Sequence, residues 1–316
     1  MSTSALTPRR RTSQRPGDRI FSASALTAGS LILAILAAVA GFLLLEGVPG
    51  VLADPEDVSI YEEGANFVTF VVPLIFGTLW AAALALVMAL PLAIGIALFI
   101  SHYAPRKLSA TIGYIIDLLA AVPSVVFGLW GANVLAPAIQ PLYTWLAENL
   151  GWIPLFTGPA SGTGRTILTA AVVLAVMVLP IITAISREVF LQTPRLYEEA
   201  ALALGATRWE VIRTVVLPFG RPGVISGAML GLGRALGETM AVAMVLSASG
   251  VITFNLVGSV NPSTIAANVA LRFPEAYGIN VNVLIATGLI LFAITLIVNS
   301  IARYIVNRRK DFSGAN

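Results

Sequence analysis

Residues 199–218 read E-A-A-L-A-L-G-A-T-R-W-E-V-I-R-T-V-V-L-P, and they separate two long apolar stretches of the chain. Gly205 is placed to end one short helix in a left-handed conformation. Thr207 and Glu210 have the T-x-x-E spacing of a capping box, which starts a second helix. Leu217-Pro218 is expected to end that second helix before the next apolar stretch. The segment therefore predicts two short helices joined at a glycine.

The first of these helices presents small side chains. Glu199 is followed by Ala200 and Ala201, and alanines let another backbone approach closely. A helix that merely lies on a membrane surface would have the same amphipathic pattern. That alternative does not account for the glycine break or for the Leu-Pro ending. We therefore interpret residues 193–218 as a loop that docks on another protein.

The composition indicates a membrane protein. Hydrophobic residues make up 57% of the 316 residues and charged residues 11%, with a mean hydropathy of +0.88, whereas soluble domains carry about 25% charged residues. Six stretches reach the ~20 apolar residues that a helix needs to cross a bilayer. The sequence thus predicts an all-α polytopic membrane protein with six transmembrane helices, at 21–45, 67–100, 112–137, 166–186, 222–246 and 283–302.

The first stretch is interpreted as a retained anchor. A basic start and an apolar run are also features of a cleaved signal peptide, but this run is longer than a usual signal core. Cleavage would also leave an odd number of membrane crossings.

The positive charges predict the orientation. If the chain starts in the cytoplasm, all but three of the 19 Lys and Arg residues fall on the cytoplasmic side. The exceptions are Arg165 and Arg272 on the outer side and Arg234 within the fifth stretch. Because cytoplasmic loops are rich in Lys and Arg, both termini and the docking loop are expected in the cytoplasm.

The docking loop resembles the EAA loop of ABC-importer permeases, which inserts into a cleft of the cytoplasmic ATPase. This resemblance implies a type I ABC-importer permease core with cytoplasmic coupling helices. It also implies that ATP is bound by the partner ATPase and that this chain binds no cofactor itself. The matching residues are Glu199, Ala200, Ala201, Gly205, Val215, Leu217 and Pro218, with Val215 standing where isoleucine is commoner.

Arg234 and Glu238 are ionisable residues inside the predicted fifth helix. A charge near mid-membrane costs about 2.5–3.5 kcal/mol on insertion scales, and the i, i+4 spacing predicts an ion pair between them. A guanidinium suits tetrahedral oxyanions, so the pair is either a central anion site or an ion pair that locks two helices. Close packing of a facing helix is predicted at four glycines, namely Gly227, Gly231, Gly233 and Gly237.

The string R-A-L-G-E-T-M-A-V at 234–242 is similar to PstC-type permeases of bacterial phosphate importers, as are the strings at 91–105 and 122–131. This resemblance implies inorganic phosphate as the substrate and the bacterial inner membrane as the location. It implies as partners a PstA-like second permease, a PstB-like ATPase dimer and a PstS-like phosphate-binding protein. Sulfate or molybdate is the alternative oxyanion.

Ser124 is a further candidate for the substrate pathway beside Arg234 and Glu238. Pro123 is expected to kink the third helix and leave the Ser124 hydroxyl free near the path, although a kink serves packing equally well.

The expected organisation is a basic cytoplasmic tail (1–20), a first helix with an acidic outer loop (21–66), an importer core (67–307) and a cytoplasmic tail (308–316). An ion-coupled secondary transporter would leave the docking loop unexplained. An intramembrane enzyme would need a catalytic set, whereas the one histidine, His102, is expected at the cytoplasmic surface. No catalytic or metal-binding residue and no nucleic-acid partner are predicted.

Overall fold

The computed structural model describes residues 16–307. Residues 1–15 and 308–316, which hold most of the two predicted tails, lie outside this part. Within it, six helical runs are long and apolar enough to cross a membrane, which confirms the predicted class. These runs are Gly17–Leu52, Phe67–Tyr103, Ser124–Leu150, Ile167–Leu191, Arg208–Leu236 and Ile279–Tyr304.

Short turns divide these runs into α-helical segments. The α-helices of the described part are α1 (Pro16–Leu52), α2 (Phe67–Leu98), α3 (Arg106–Ala121), α4 (Ser124–Trp130), α5 (Ala136–Leu150), α6 (Ile167–Leu191), α7 (Arg195–Ala203), α8 (Arg208–Val211), α9 (Leu217–Leu236), α10 (Met240–Val245), α11 (Ile265–Arg272) and α12 (Ile279–Asn307). Two short parallel strands, β1 (Ala248–Ser249) and β2 (Asn261–Pro262), pair in the loops between α10 and α11.

The core forms where α2, α6 and α9 pack together. Helix α2 carries an alanine at every fourth position from Ala81 to Ala97, and these alanines are completely or almost completely buried. Residues four apart lie on one face of a helix, and small side chains on that face allow close helix contact. This alanine face therefore lets α6, the most deeply buried span, lie against α2.

The helices run in alternating directions. Gly220 lies against Phe190 and Gly231 lies against Ile182, so α9 is antiparallel to α6. Gly47 lies against Ala286 and Gly50 against Asn282, so α1 is antiparallel to α12.

Most of the described basic residues lie at one end of this bundle. We call one the basic end, which carries Arg106, Lys107, Arg195, Arg208, Arg213, Arg221 and Arg303, and the other the acidic end, which carries Asp54, Glu56, Asp57, Glu62 and Glu63. Arg272 lies at the acidic end, where its guanidinium donates to the Ile60 carbonyl at 2.8 Å and stacks over the Phe70 ring.

The third span differs from the prediction. Residues 112–121 belong to α3, a separate helix that ends at Ala121, and the span itself begins at Ser124. The break follows from Pro123, because the residue before a proline is driven out of the helical conformation, and Val122 is extended with ψ of 129°. The predicted end at 137 is also wrong, because the span continues through α5 to Leu150.

Prolines at two span positions do not end their helices. Pro137 and Pro218 each lie in the first turn of an α-helix that follows a π-helical turn, Gly131–Leu135 and Ile212–Val216 respectively. A proline is tolerated in a first helical turn, where its missing N–H is not needed. The prediction that Leu217-Pro218 ends the second docking helix is therefore wrong: α8 and α9 form one helical run.

Candidate functional site

The docking loop at the basic end consists of the short helix α7 and the start of the long α8–α9 run, joined at Gly205. Helix α7 ends before Gly205, which has a φ of +87°. The Ala206 N–H donates to the Ala201 carbonyl at 3.1 Å and closes the end of α7. At the start of α8, Thr207 and Glu210 bond each other's backbone N–H groups, so the capping box is present.

The loop exposes large apolar side chains. Leu204 is 91% exposed and Leu196 is 72% exposed, although both lie outside the six membrane-spanning runs. Glu199 and Ala200 are exposed beside them, and Ala201 is half-buried. Exposed apolar groups on a polar loop are characteristic of a surface that another protein covers.

His102 ties the docking loop to the end of the second span. Its Nε2 lies 3.7 Å from Oε1 of Glu198 on α7, and its Nδ1 lies 2.7 Å from the Ser101 hydroxyl. The His102 side chain lies at the basic end, as predicted, but it is partly buried, with 15% of it exposed. Among the described residues this is the one contact within 4.0 Å between a carboxylate oxygen and a side-chain nitrogen of His, Lys or Arg. The contact places α7 against the end of the second span.

Arg234 lies in a groove of about 590 Å³ between α9 and α12. Its Nε is buried and has no hydrogen-bond partner among the described residues. Arg234 is in the last turn of α9, where the unpaired carbonyls at the helix C-terminus favour a positive charge. The groove is therefore lined by a guanidinium whose Nε has no acceptor among the described residues.

Glu238 does not pair with Arg234, contrary to the prediction. Helix α9 ends at Leu236, and the chain leaves the helical path at Gly237. The Glu238 carboxylate instead accepts from the Ala241 N–H at 3.1 Å, at the start of α10. The i, i+4 rule needs a continuous helix, and this helix is interrupted between the two residues.

The structure separates the other pathway candidates from this groove. Neither Ser124, which is half-buried at the start of α4, nor Glu238 is among the residues lining it. Of the four glycines, Gly227 and Gly231 pack against Ile185 and Ile182 of α6. Gly233 faces open space and Gly237 meets only the carbonyl of Gly233, so neither packs against a helix of the described part of the chain.

Two polar residues of α12 join Arg234 and were missed from the sequence. Asn299 and Arg303 are four residues apart and both line the same groove. Their spacing puts them on one helix face, and that was the available signal. Arg303 was missed because it lies at the end of an apolar stretch, where a basic residue is usual at a membrane edge.

A family profile described as "binding-protein-dependent transport system inner membrane component" matches residues 89–311. The chain belongs to this family. The match covers the docking loop and the groove, so both lie within the part of the chain that the family profile matches.

Relatives named phosphate transport system permease proteins extend over nearly the whole chain. PstC 2 of Mycobacterium bovis is 47% identical over 303 residues, covering 92% of each protein. PstC of Mycobacterium leprae is 45% identical, covering 92% of this chain and 94% of the relative. PstC of Mesorhizobium japonicum is 41% identical, covering 94% and 92% respectively.

Solved structures share the fold at low sequence identity. A bacterial ABC transporter for import of the acidic polysaccharide alginate matches with a TM-score of 0.57 and 15% identity, covering 92% of this chain and 99% of that one. The inward-facing MetNI methionine ABC transporter matches with a TM-score of 0.52 and 19% identity, covering 77% and 95%. The chain therefore has the fold of an ABC-importer permease.

Proposed function

We propose that this chain is the PstC-type permease subunit of an ATP-driven phosphate importer and forms half of its translocation pathway. The observation that carries the proposal is the 41–47% identity to phosphate permeases over more than nine-tenths of the chain. The groove with Arg234 supports it, because a guanidinium without a protein acceptor suits an oxyanion.

The docking loop is the surface that contacts the ATPase in this proposal. Its exposed apolar side chains need a covering partner, and the basic end is where a cytoplasmic ATPase would sit. ATP binding and hydrolysis then belong to the partner, and this chain does no chemistry and binds no cofactor. The His102–Glu198 contact gives the loop a direct connection to the second span.

The remaining partners follow from the same proposal. One permease chain supplies half of a pathway, so a PstA-like second permease completes it over a PstB-like ATPase dimer. A PstS-like protein delivers phosphate at the acidic end, which would face outward. Arg234 meets phosphate in transit by replacing part of its hydration shell with charge-assisted hydrogen bonds.

The function is tested with the complete complex in proteoliposomes. Uptake of radiolabelled phosphate should require ATP, the binding protein and both permease subunits. Excess sulfate or molybdate should leave phosphate uptake unchanged. Competition by either ion at a concentration equal to that of phosphate would favour the alternative oxyanion instead.

The orientation is tested by labelling in a chain that contains no cysteine. Asp57→Cys, at the acidic end, should react with a membrane-impermeant thiol reagent on whole cells whose outer envelope, if present, has been opened. Lys107→Cys, at the basic end, should react only after the inner membrane is permeabilised. Both side chains are exposed in the structure, so accessibility within the chain is matched. Labelling of position 107 but not of position 57 in intact cells would show that the orientation is the opposite of the expected one.

A further inference from the structure

The groove between α9 and α12 carries four polar side chains on an otherwise apolar lining. Ser226, Met229, Leu230 and Arg234 line it from α9, and Asn299 and Arg303 line it from α12. Counted from Ser226, the other three follow at three, four and eight residues, so all four lie on one face of α9. The groove thus runs along both helices and is not a single pocket at Arg234.

The two arginines lie at different depths of this groove. Helix α9 starts at the basic end, while α12 finishes there, so Arg303 is nearer to that end than Arg234. Ser226 is eight residues before Arg234, or about 12 Å along the helix at ~1.5 Å per residue. A passing ion could therefore leave Arg234 and meet a second basic group before it reaches the cytoplasm.

The chemistry of the second position also favours an anion. Arg303 and Asn299 both carry N–H donors, and both are exposed to the groove rather than buried in the protein. The Ser226 hydroxyl donates to the Pro222 carbonyl at 3.0 Å, so its proton is engaged within α9. None of the described residues lining the groove is acidic, so no carboxylate there competes with an anion for these donors.

We propose that Arg303, assisted by Asn299, forms a second phosphate contact between Arg234 and the cytoplasm, through which transported phosphate leaves the permease. This proposal rests on the proposed function, because it takes phosphate as the transported ion. Two sequential contacts of similar chemistry let the ion exchange one set of donors for another. The ion then never has to lose all its charge-assisted hydrogen bonds at once.

The test is uptake by the assembled complex in proteoliposomes, expressed per complex. Arg303→Gln should lower the maximal rate roughly tenfold, as expected for loss of one charge-assisted hydrogen bond. The concentration of phosphate-loaded binding protein that gives half the maximal uptake rate should be the same in the variant as in the wild type, because this protein docks at the other end. Arg303→Lys should restore part of the rate. Arg106→Gln removes a positive charge at the same end but outside the groove, and it should transport normally.

A paired substitution at Asn299 separates an anion contact from a packing role. Asn299→Asp places a carboxylate in the groove, which repels phosphate and attracts the arginines, while Asn299→Gln keeps the amide. We expect at least a tenfold lower rate for the aspartate variant than for the glutamine variant. Equal rates for the two variants, or a normal rate for Arg303→Gln, would overturn the proposal.

The lipid composition distinguishes transported phosphate from a phospholipid headgroup. In vesicles of phosphatidylcholine alone and of phosphatidylcholine with phosphatidylglycerol, the Arg303→Gln defect should be the same. If the wild type falls to the level of the variant when phosphatidylglycerol is absent, Arg303 binds anionic lipid and the assignment to transported phosphate is wrong. If the wild type takes up no phosphate in any vesicle, the proposed function itself has failed.

Discussion

Replacement of Arg234 by glutamine is expected to lower the rate of phosphate uptake by about a hundredfold or more, while the complex still assembles. Glutamine keeps hydrogen-bonding capacity but removes the charge and most of the donors that a phosphate would contact. Loss of several charge-assisted hydrogen bonds, each worth about 1.5–3 kcal/mol, is sufficient for an effect of this size. The measurement is uptake of radiolabelled phosphate divided by the amount of purified complex.

The matched control for this prediction is Glu238→Gln. In the structure the Glu238 carboxylate accepts from the Ala241 N–H and does not pair with Arg234. A glutamine oxygen can accept the same bond, so this variant should keep most of its transport, with a small loss of stability. Arg234→Lys retains the charge without the planar fork of donors, and it should fall between wild type and Arg234→Gln.

The competing explanation for Arg234 is purely structural. It predicts that Arg234→Gln lowers the amount of assembled complex and leaves transport per complex unchanged. That result would remove Arg234 from the phosphate pathway. The buried Nε of Arg234 has no hydrogen-bond partner among the described residues, so this atom locks no helix of that part of the chain.

Replacement of Gly205 by valine is expected to uncouple the permease from its ATPase. The φ of +87° at this position costs an ordinary residue about 1–2 kcal/mol and a β-branched residue more. Relief of that strain would move α7, which carries Glu199, Ala200 and Ala201, away from its docking position. We expect transport and transport-coupled ATP hydrolysis to fall roughly tenfold, in proportion to this strain, with normal insertion into the membrane.

Gly205→Asn is the control that identifies the backbone as the cause. A Cβ at this position would meet nothing within 4 Å in this chain, so crowding inside the permease does not contribute. Asparagine is larger than alanine but adopts left-handed conformations more readily. Activity should therefore rank glycine, asparagine, alanine, valine. A ranking by side-chain size, with asparagine below alanine, would point to a steric block at the ATPase instead.

Local features were predicted well because short-range interactions determine them. The break at Gly205 depends on backbone sterics at one residue, and the Thr207–Glu210 capping box depends on hydrogen bonds across three residues. The six apolar runs depend on the cost of placing polar groups in hydrocarbon, which can be summed along the chain. These features need no knowledge of neighbouring helices.

The errors arose where one helix was assumed to continue or to stop. Continuity was assumed through residues 234–238, but the chain leaves the helix at Gly237 and Glu238 turns to α10. Termination was assumed at Pro137 and Pro218, but a π-helical turn before each proline lets the run continue. Such turns change the hydrogen-bond register by one residue, and they have no clear mark in the sequence.

The sequence by itself determined the membrane class, the number of spans, the concentration of basic residues at one end and the break at Gly205 in the docking loop, since each depends on composition or on residues a few positions apart. Only the tertiary structure placed Arg234 in one groove with Asn299 and Arg303, and His102 against Glu198. Those residues are distant in the chain and meet because α9 lies beside α12 and α7 folds back onto the end of the second span. Helix packing decides such contacts, because it depends on the small residues at each helix interface and on which faces they leave free.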